Sequence, residues 1–288
     1  MLVDGPGCDH RSMNATHVLC PLDGTIASVR ALPSAVDAAR LLDVPLRVFS
    51  AVEDAHEIKQ RTEQLDAAAL QFSVPPPRET DVIVAPHAPD AIAQRAHEDA
   101  FVVMATSTRP LIHHGYLGSA TEKVVRELHR PVLAVGPRAT TPLSEVGRVV
   151  VPCDGSSLSE QAIEPATRWA ERLGLQLWIV TVIPVADPPP VRAFEHTYVE
   201  RLAERTSDGT TQWDVLHGDD AARAIAEWAE GDLIVMTSHG RSGLSRLTLG
   251  SVASGTARWA TGPVLMIVPD GELADDQSGD ENPDDTAQ

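Results

Sequence analysis

The chain has 288 residues, of which 43% are hydrophobic, and a formal net charge of −18 at pH 7. This length allows two domains with separate cores, and the acidic balance argues against nonspecific nucleic-acid binding, which depends on clustered Lys and Arg. No apolar run reaches the roughly 18 residues of a membrane span, and the first residues lack the basic flank and apolar stretch of a signal peptide. We therefore expect a cytoplasmic protein that binds neither membranes nor nucleic acid.

The three cysteines, Cys8, Cys20 and Cys153, show no metal-ligand spacing. An odd number of cysteines fits a reducing compartment without a disulfide framework. Cys20 and Cys153 lie near a repeated Asp, so each is either a redox sensor or a small apolar residue at the end of a buried strand. We expect the second, because free cysteine commonly packs as a small buried hydrophobe.

The sequence contains an internal repeat. Residues 18–25 read VLCPLDGT and residues 149–156 read VVVPCDGS, an offset of 131. Residues 117–119 and 249–251 both read LGS, an offset of 132. A unit of this length exceeds the roughly 20–50 residues of a solenoid repeat and has the size of a domain. The chain is therefore interpreted as a tandem duplication, with domains at 15–137 and 147–269.

In the first half, short apolar runs alternate with helical patterns. The predicted strands are 18–20, 46–52, 82–85, 101–104 and 132–135, and the predicted helices are 35–42, 91–96 and 119–128. The proline run at 75–77 is interpreted as a stiff connector, and residues 138–145 as the linker between the halves.

The second half repeats this scheme. The predicted strands are 149–152, 177–183, 213–216, 233–236 and 264–268, and the predicted helices are 158–173, 221–229 and 251–260. Pro165 predicts a kink or a late start of the first helix, and the proline run at 188–190 is interpreted as a second connector. Residues 270–288 carry six Asp and two Glu without Lys, Arg or aromatic residues. They are predicted to form a disordered acidic tail, with partner binding as the alternative.

This alternation of apolar strands and helices predicts an α/β fold with a parallel sheet that is covered on both faces. Such sheets bind ligands beyond the carboxyl ends of their strands. The repeated motifs all follow predicted strands, so we expect a site at that edge.

Residues 236–252 carry the clearest chemical motif. They leave a buried strand, pass through a loop of Gly, Ser and Arg, and enter a helix at Gly250-Ser251. A helix N-terminus offers unpaired N–H groups and a positive dipole end, and glycine permits close approach of an anion. Ser251 either caps the helix or donates its hydroxyl to a ligand oxygen. The motif predicts a phosphate site, and the alternative is an ordinary helix start. For Asp154, which follows the strand at 149–152, the alternative is a turn residue at Asp-Gly.

These motifs together resemble the universal stress protein family. The matching elements are Gly240 followed after nine residues by Gly250-Ser251, the stretch 152–156 (PCDGS), and the closing strand at 263–265 (PVL). The resemblance implies two Rossmann-like domains in tandem, each a parallel sheet of strand order 3-2-1-4-5. It also implies ATP binding, which many members of the family show, and we expect Mg²⁺ to accompany the nucleotide.

Matching the family's pattern residue by residue implies a nucleotide site in the second half. Asp154 would lie near the ribose or adenine, the Val182 backbone at the adenine edge, and Met236 and Thr237 along the pocket. The implied phosphate-binding residues are Gly240, Gly250, Ser251 and Val252. Thr237 departs from the family, whose pattern has glycine there, so its β-carbon is expected to narrow the pocket.

The first half departs further from the pattern. Thr108 replaces the loop glycine and Pro110 stiffens the loop, although Asp23, Gly118 and Ser119 remain. Proline has no N–H to donate and non-glycine residues resist left-handed geometry. We expect this half to bind ATP weakly or not at all and to serve as a structural partner. The adjacent His113-His114 pair has no evident third ligand, so no metal is expected there.

Three functions remain open from the sequence. The leading one is an ATP-binding stress or regulatory protein in which nucleotide occupancy alters partner binding or self-association. The alternatives are an interaction module that binds no nucleotide and a slow ATP hydrolase or adenylate-transfer enzyme. The sequence has no Walker A loop and no recognisable catalytic constellation, and His239 is interpreted as a loop residue rather than an acid or base.

The halves are expected to pair through their fifth strands, 132–135 and 264–268, because an exposed apolar edge strand favours aggregation. This would give one pseudo-dimer per chain. The protein partner and a homodimer of whole chains are left open.

Overall fold

The computed structural model describes residues 15–72, 78–96, 99–106, 119–128, 130–186, 189–206, 210–238 and 249–268. Several residues singled out in the sequence lie outside this described part: Cys8, the first proline run at 75–77, Thr108 and Pro110, the pair His113-His114, Gly118, the loop residues His239 and Gly240, and the acidic tail 270–288.

The first half consists of five strands and five helices in the described residues. Its strands are β1 (His17–Pro21), β2 (Leu46–Val52), β3 (Arg78–Val84), β4 (Ala100–Ala105) and β5 (Val132–Val135). Its helices are α1 (Ile26–Val29), α2 (Leu32–Leu42), α3 (Ile58–Gln71), α4 (Ala88–Ala96) and α5 (Ser119–Leu128), with a 3-10 turn at Ala55–Glu57.

The second half repeats this order after a linker that contains a 3-10 turn at Leu143–Glu145. Its strands are β6 (Val149–Pro152), β7 (Leu177–Ile183), β8 (Gln212–His217), β9 (Leu233–Thr237) and β10 (Val264–Ile267). Its helices are α6 (Ser157–Glu160), α7 (Ile163–Leu173), α8 (Pro189–Thr206), α9 (Ala221–Trp228) and α10 (Ser251–Trp259).

All ten strands form one sheet, in the order β3-β2-β1-β4-β5-β10-β9-β6-β7-β8. Each half therefore has the strand order 3-2-1-4-5, with parallel pairing inside the half. The halves join through β5 and β10, which are antiparallel and place Leu265 opposite Leu133. The predicted α/β class, strand order and pairing of the fifth strands are confirmed.

The sheet separates two hydrophobic cores, because successive strand residues point to opposite faces. Val18 and Cys20 belong to one core and Leu19 to the other. The first core packs beneath α2, α3, α7 and α8, and the second beneath α4, α5, α9 and α10. Each core contains residues of both halves, so the two domains share their buried interior along the sheet.

The sequence prediction missed two long helices, α3 and α8. The second proline run was interpreted as a connector, yet Pro189 is the first residue of α8. Proline suits the first helical turn because its missing N–H would have no partner there in any case. The interpretation of this run as a connector is wrong for the described residues Pro189 and Pro190.

The predicted helix at 158–173 is also corrected, since it is divided into α6 and α7 at Gln161–Ala162. Pro165 lies in the first turn of α7. The late helix start predicted from this proline is therefore confirmed.

Candidate functional site

A cavity of about 220 Å³ opens at the carboxyl ends of β6, β7 and β9, beside the N-terminus of α10. It brings together seven of the eight residues predicted for a nucleotide site: Asp154, Val182, Met236, Thr237, Gly250, Ser251 and Val252. The eighth, Gly240, lies outside the described residues.

The strand order explains why the cavity forms here. β6 lies between β7 and β9. The chain leaving β6 crosses through α7 on one face, whereas α9 and α10 cover the other face. Connections that depart to opposite faces leave a crevice beyond the carboxyl ends of the two strands, which is the usual ligand position in open α/β sheets.

Asp154 is held in a tight turn directly after β6. Its Oδ1 accepts hydrogen bonds from the Ser156 backbone N–H at 3.0 Å and from the Ser156 hydroxyl at 2.5 Å. Gly155 adopts a φ of +84°, a conformation that glycine reaches without steric cost. Asp154 is therefore a turn residue and also lines the cavity.

The first half contains the same turn. Asp23 Oδ1 accepts from the Thr25 N–H at 2.9 Å and from the Thr25 hydroxyl at 2.6 Å, and Gly24 has a φ of +80°. Partial burial alone would raise the pKa of Asp23, but the hydrogen bonds from Thr25 and Ser28 outweigh it and lower this pKa below its ordinary value. The two Asp-Gly turns thus provide an internal comparison between the halves.

The N-terminus of α10 faces the cavity without a side-chain cap among the described residues. Its N-cap is Gly250, whose N–H donates to the Ser238 carbonyl at 2.8 Å. Ser251 is the first helical residue and not the cap, so of its two predicted roles capping is wrong. The first N–H groups of a helix have no intrahelical acceptor and sit at the positive end of the dipole, which suits an anion.

The inner wall of the cavity is mainly apolar. Met236 and Thr237 end β9 and are each 6% exposed, while Val182 is half-buried in β7. The sequence reasoning missed several lining residues: Pro152, Cys153, Ser159, Ala221, Ile225, Ser238 and Ala253. Cys153, Ser238 and Ala253 are next to predicted site residues in the sequence, whereas Ile225 is brought in only by the packing of α9.

The buried cysteines are poor candidates for redox chemistry. Burial raises the pKa of Cys20 to about 12 and raises the pKa of the Cys153 thiol strongly as well. A thiol that stays protonated is a weak nucleophile. This agrees with the prediction that both are small buried residues at the ends of strands.

Within the described ranges, no group of three or more His, Cys, Asp or Glu side chains is arranged to hold a metal ion. None of the helices in those ranges has the length and hydropathy needed to cross a membrane.

Comparison with known proteins identifies relatives of both halves. The model of the universal stress protein family matches residues 14–136 and 145–268. A universal stress protein of Mycobacterium tuberculosis strain H37Rv is 30% identical over 233 residues, covering 76% of this chain and 75% of the relative. One from Methanocaldococcus jannaschii is 31% identical over 138 residues, covering 42% of this chain and 81% of the relative.

Solved structures show the same fold. A putative universal stress protein from Pseudomonas aeruginosa UCBPP-PA14 has a TM-score of 0.66 at 17% identity, with 90% of this chain and 95% of that chain covered. One from Archaeoglobus fulgidus DSM 4304 has a TM-score of 0.59 at 18% identity, with 88% and 99% covered. Because the family model matches each half separately, this chain belongs to the universal stress protein family, as a member with two tandem domains.

Proposed function

We propose that the second half binds an adenine nucleotide, ATP with Mg²⁺, in the cavity between Asp154 and the N-terminus of α10. The observation that carries this proposal is that a helix N-terminus, uncapped by any described side chain, and a fixed carboxylate converge on one partly apolar cavity. Each of these features suits a different part of a nucleotide.

The apolar end of the cavity suits a purine. Val182, Ile225 and Met236 line this end, and a planar aromatic base gains from burial against such side chains. Asp154 offers a carboxylate acceptor for ribose hydroxyls. Its turn holds it in place before any ligand arrives, which lowers the ordering cost of binding.

The polar end of the cavity suits the phosphates. The backbone N–H groups of Ser251, Val252 and Ala253 begin α10, and all three residues line the cavity. Mg²⁺ commonly reaches a protein through substrate phosphates and water rather than a cage of protein ligands, so the lack of an acidic cluster among the described residues is compatible with it.

Nucleotide occupancy is proposed to regulate interactions of the protein in the cytoplasm. Ser251 and Val252 are exposed as well as lining the cavity, so bound phosphates would add negative charge at a surface that a partner or second chain can contact. The first half, 15–137, is proposed to be a structural partner with a degenerate nucleotide loop. The second, 147–269, is proposed to be the binding domain, followed by the tail 270–288.

The direct test is the nucleotide content and ATP affinity of the purified chain. Denatured protein should release about one equivalent of ATP or ADP, and added ATP with magnesium should bind saturably. Asp154→Ala should weaken ATP binding about tenfold or more, as expected for loss of a hydrogen bond to a charged group. Asp23→Ala is the matched control, because it removes the same turn residue from the first half.

Two results would contradict the proposal. Release of two equivalents would show that the first half also binds nucleotide. Absence of both released nucleotide and saturable binding would favour the interaction module, with Thr237 as the residue to replace by glycine next. ATP turnover above background that is lost in Asp154→Ala or His239→Ala would instead indicate a hydrolase.

A further inference from the structure

A second, larger cavity lies in the first half, away from the proposed nucleotide site. This groove has a volume of about 890 Å³ and runs between α1, the start of α2, the second half of α3 and the linker. Its size falls within the roughly 300–1,000 Å³ of small-molecule sites. No comparison or sequence motif assigns a role to it.

The wall formed by α1 and α2 is apolar in the first half only. Ile26, Val29 and Pro33 line the groove, and Ile26 is 92% exposed. At the offset of 131 residues, the second half has Ser157, Glu160 and Glu164 in their places. Ile26 shares the groove with Val29, Pro33 and Phe72, and grouped apolar side chains that remain exposed mark a surface that another molecule can cover.

The wall contributed by α3 and the linker combines apolar surface with polar groups. Ala68 and Phe72 continue the apolar lining, and Phe72 remains 37% exposed. Gln64, Gln71 and the linker residue Thr140 add hydrogen-bonding groups at the edges. A largely apolar cavity with a few polar groups is the usual composition of a site for a small organic molecule.

Arg30 supplies a positive charge to the groove. Its Nη1 atom is shielded from solvent and makes no hydrogen bond in the described part of the chain. A shielded guanidinium nitrogen without an acceptor is costly, because it has lost water and gained nothing in return. Glu145 also lines the groove, but it is exposed and forms no ion pair with Arg30 among the described residues.

The second half again provides the comparison. Gln161 occupies the position of Arg30. These residues are the C-caps of α6 and α1 and have nearly the same backbone conformation, with φ of −65° and −55°. The backbone therefore accepts an uncharged residue here, so the turn itself does not require the arginine. The positive charge and the apolar wall occur together in the first half only.

We propose that this groove binds a small organic anion with an apolar body. The carboxylate, sulfonate or phosphate of the ligand pairs with the Arg30 guanidinium, and its apolar part lies against Val29, Ala68 and Phe72 and covers Ile26. Binding turns the shielded Nη1 towards the groove, where the anionic group satisfies it. An arginine binds such oxyanions through charge-assisted hydrogen bonds.

The test uses two fluorescent probes on the full chain. Anilinonaphthalene sulfonate carries an anionic group on an aromatic body, and N-phenylnaphthylamine has nearly the same body without the charge. We expect both to bind the unmodified protein. Arg30→Gln should weaken sulfonate binding about tenfold, the value of one charge-assisted hydrogen bond, and leave binding of the neutral probe unchanged.

Two further variants locate the site. Arg40→Gln makes the same change in net charge at an exposed position of α2 and should leave both affinities unchanged. Val29→Glu introduces the residue of the second half into the apolar wall and should abolish binding of the sulfonate and weaken binding of the neutral probe. Thermal unfolding of each variant confirms that it folds.

Three results would overturn the proposal. The first is an unchanged sulfonate affinity in Arg30→Gln. The second is an equal loss in Arg40→Gln, which would mean that only the net charge matters. The third is binding that survives Val29→Glu, which would place the probes elsewhere, for example in the cavity beside Asp154. None of these outcomes depends on whether the second half binds ATP, so the two proposals succeed or fail separately.

Discussion

At the scale of single residues, the two Asp-Gly turns show how a short sequence fixes a side chain. In each turn the Asp Oδ1 accepts two hydrogen bonds, one from the backbone N–H and one from the hydroxyl of the residue two positions later. That hydroxyl also accepts from the N–H of a serine three residues further on, Ser28 or Ser159. The carboxylate is therefore held in place by bonds within six residues, independently of the rest of the fold.

These hydrogen bonds predict how the pKa of Asp23 responds to a change at Thr25. Thr25→Val removes the hydroxyl that donates to Asp23, so the pKa of Asp23 should rise towards the ordinary value of about 3.9. Carbon NMR of the carboxyl group measures this pKa directly. Thr62→Val is the control, because the Thr62 hydroxyl donates to the Ile58 carbonyl in α3 instead. An unchanged Asp23 midpoint in Thr25→Val would contradict the assignment.

The same shift sets the sign of a pH effect on stability. Because the folded-state pKa of Asp23 is lowered, its contribution to the free energy of unfolding is fully present above the unfolded-state pKa. That contribution is lost as the pH falls through the lowered folded-state pKa. In Thr25→Val the free energy of unfolding should therefore depend less on pH in the acid range, as measured by urea unfolding at a series of pH values.

At the scale of elements, the sequence predicted what periodicity and turn chemistry determine locally. The runs at 46–52, 132–135 and 177–183 matched β2, β5 and β7 to the residue, because their apolar side chains are buried between the two helical layers. The start of β3 was missed, since its first four residues are polar and lie at an edge of the sheet.

Helices α3 and α8 were missed for different physical reasons. Only Leu65 and Ala69 of α3 are buried, so its sequence shows little of the periodicity that marks an amphipathic helix. The start of α8 is a proline run that also suits a connector. The groove beside Arg30 could not be predicted either, because α3 forms one of its walls and α3 itself was missed.

The candidate site was more predictable than these helices. Helix N-termini and strand ends are marked by short motifs, such as Asp154-Gly155 and Gly250-Ser251, and the parallel order of strands brings those motifs to one edge. Ile225 could not be assigned in this way, because its position in the cavity depends on how α9 packs against the sheet.

The N-terminus of α10, which no described side chain caps, leads to a prediction about that helix. Gly250→Asp places a carboxylate at the N-cap, where it can accept hydrogen bonds from the first N–H groups of the helix and compete with a phosphate. Gly250 has a φ of −56° and a ψ of 142°, which any residue can adopt. We expect ATP affinity to fall about tenfold or more, while the free energy of unfolding changes by less than about 0.5 kcal/mol.

Isothermal titration calorimetry measures the ATP affinity of Gly250→Asp, and urea unfolding measures its free energy of unfolding. Gly250→Ala is the matched variant, because it adds a β-carbon without the competing charge and should retain most of the affinity. Equal losses in both variants would mean that the β-carbon, and not competition for the helix N-terminus, weakens binding.

At the scale of the whole molecule, the halves are joined by more than the β5–β10 pairing. Trp169 in α7 of the second half is fully buried and packs on Phe101 in β4 of the first half, with ring centroids 5.4 Å apart. Arg172 donates from Nε to the Leu41 carbonyl at 2.8 Å. A shared sheet and a shared core predict that the two halves unfold together in one transition.

A close approach between the two halves at Gly136 gives a test of this unit. A β-carbon on Gly136, just after β5, would lie 2.0 Å from the carbonyl oxygen of Ala257 in α10, so Gly136→Ala must push the halves apart. We expect a loss of about 3 kcal/mol in the free energy of unfolding, the upper range for overpacking a core.

Gly147→Ala is the control. The added β-carbon would be 3.4 Å from Asp232 Oδ1, an ordinary contact, so the free energy of unfolding should change by less than about 0.5 kcal/mol. Urea unfolding is followed by tryptophan fluorescence, to which all five tryptophans of the second half contribute, and by circular dichroism, which reports on both halves. Equal stability of the two variants would show that the halves do not pack this closely, and a second transition in Gly136→Ala alone would show that this contact couples them.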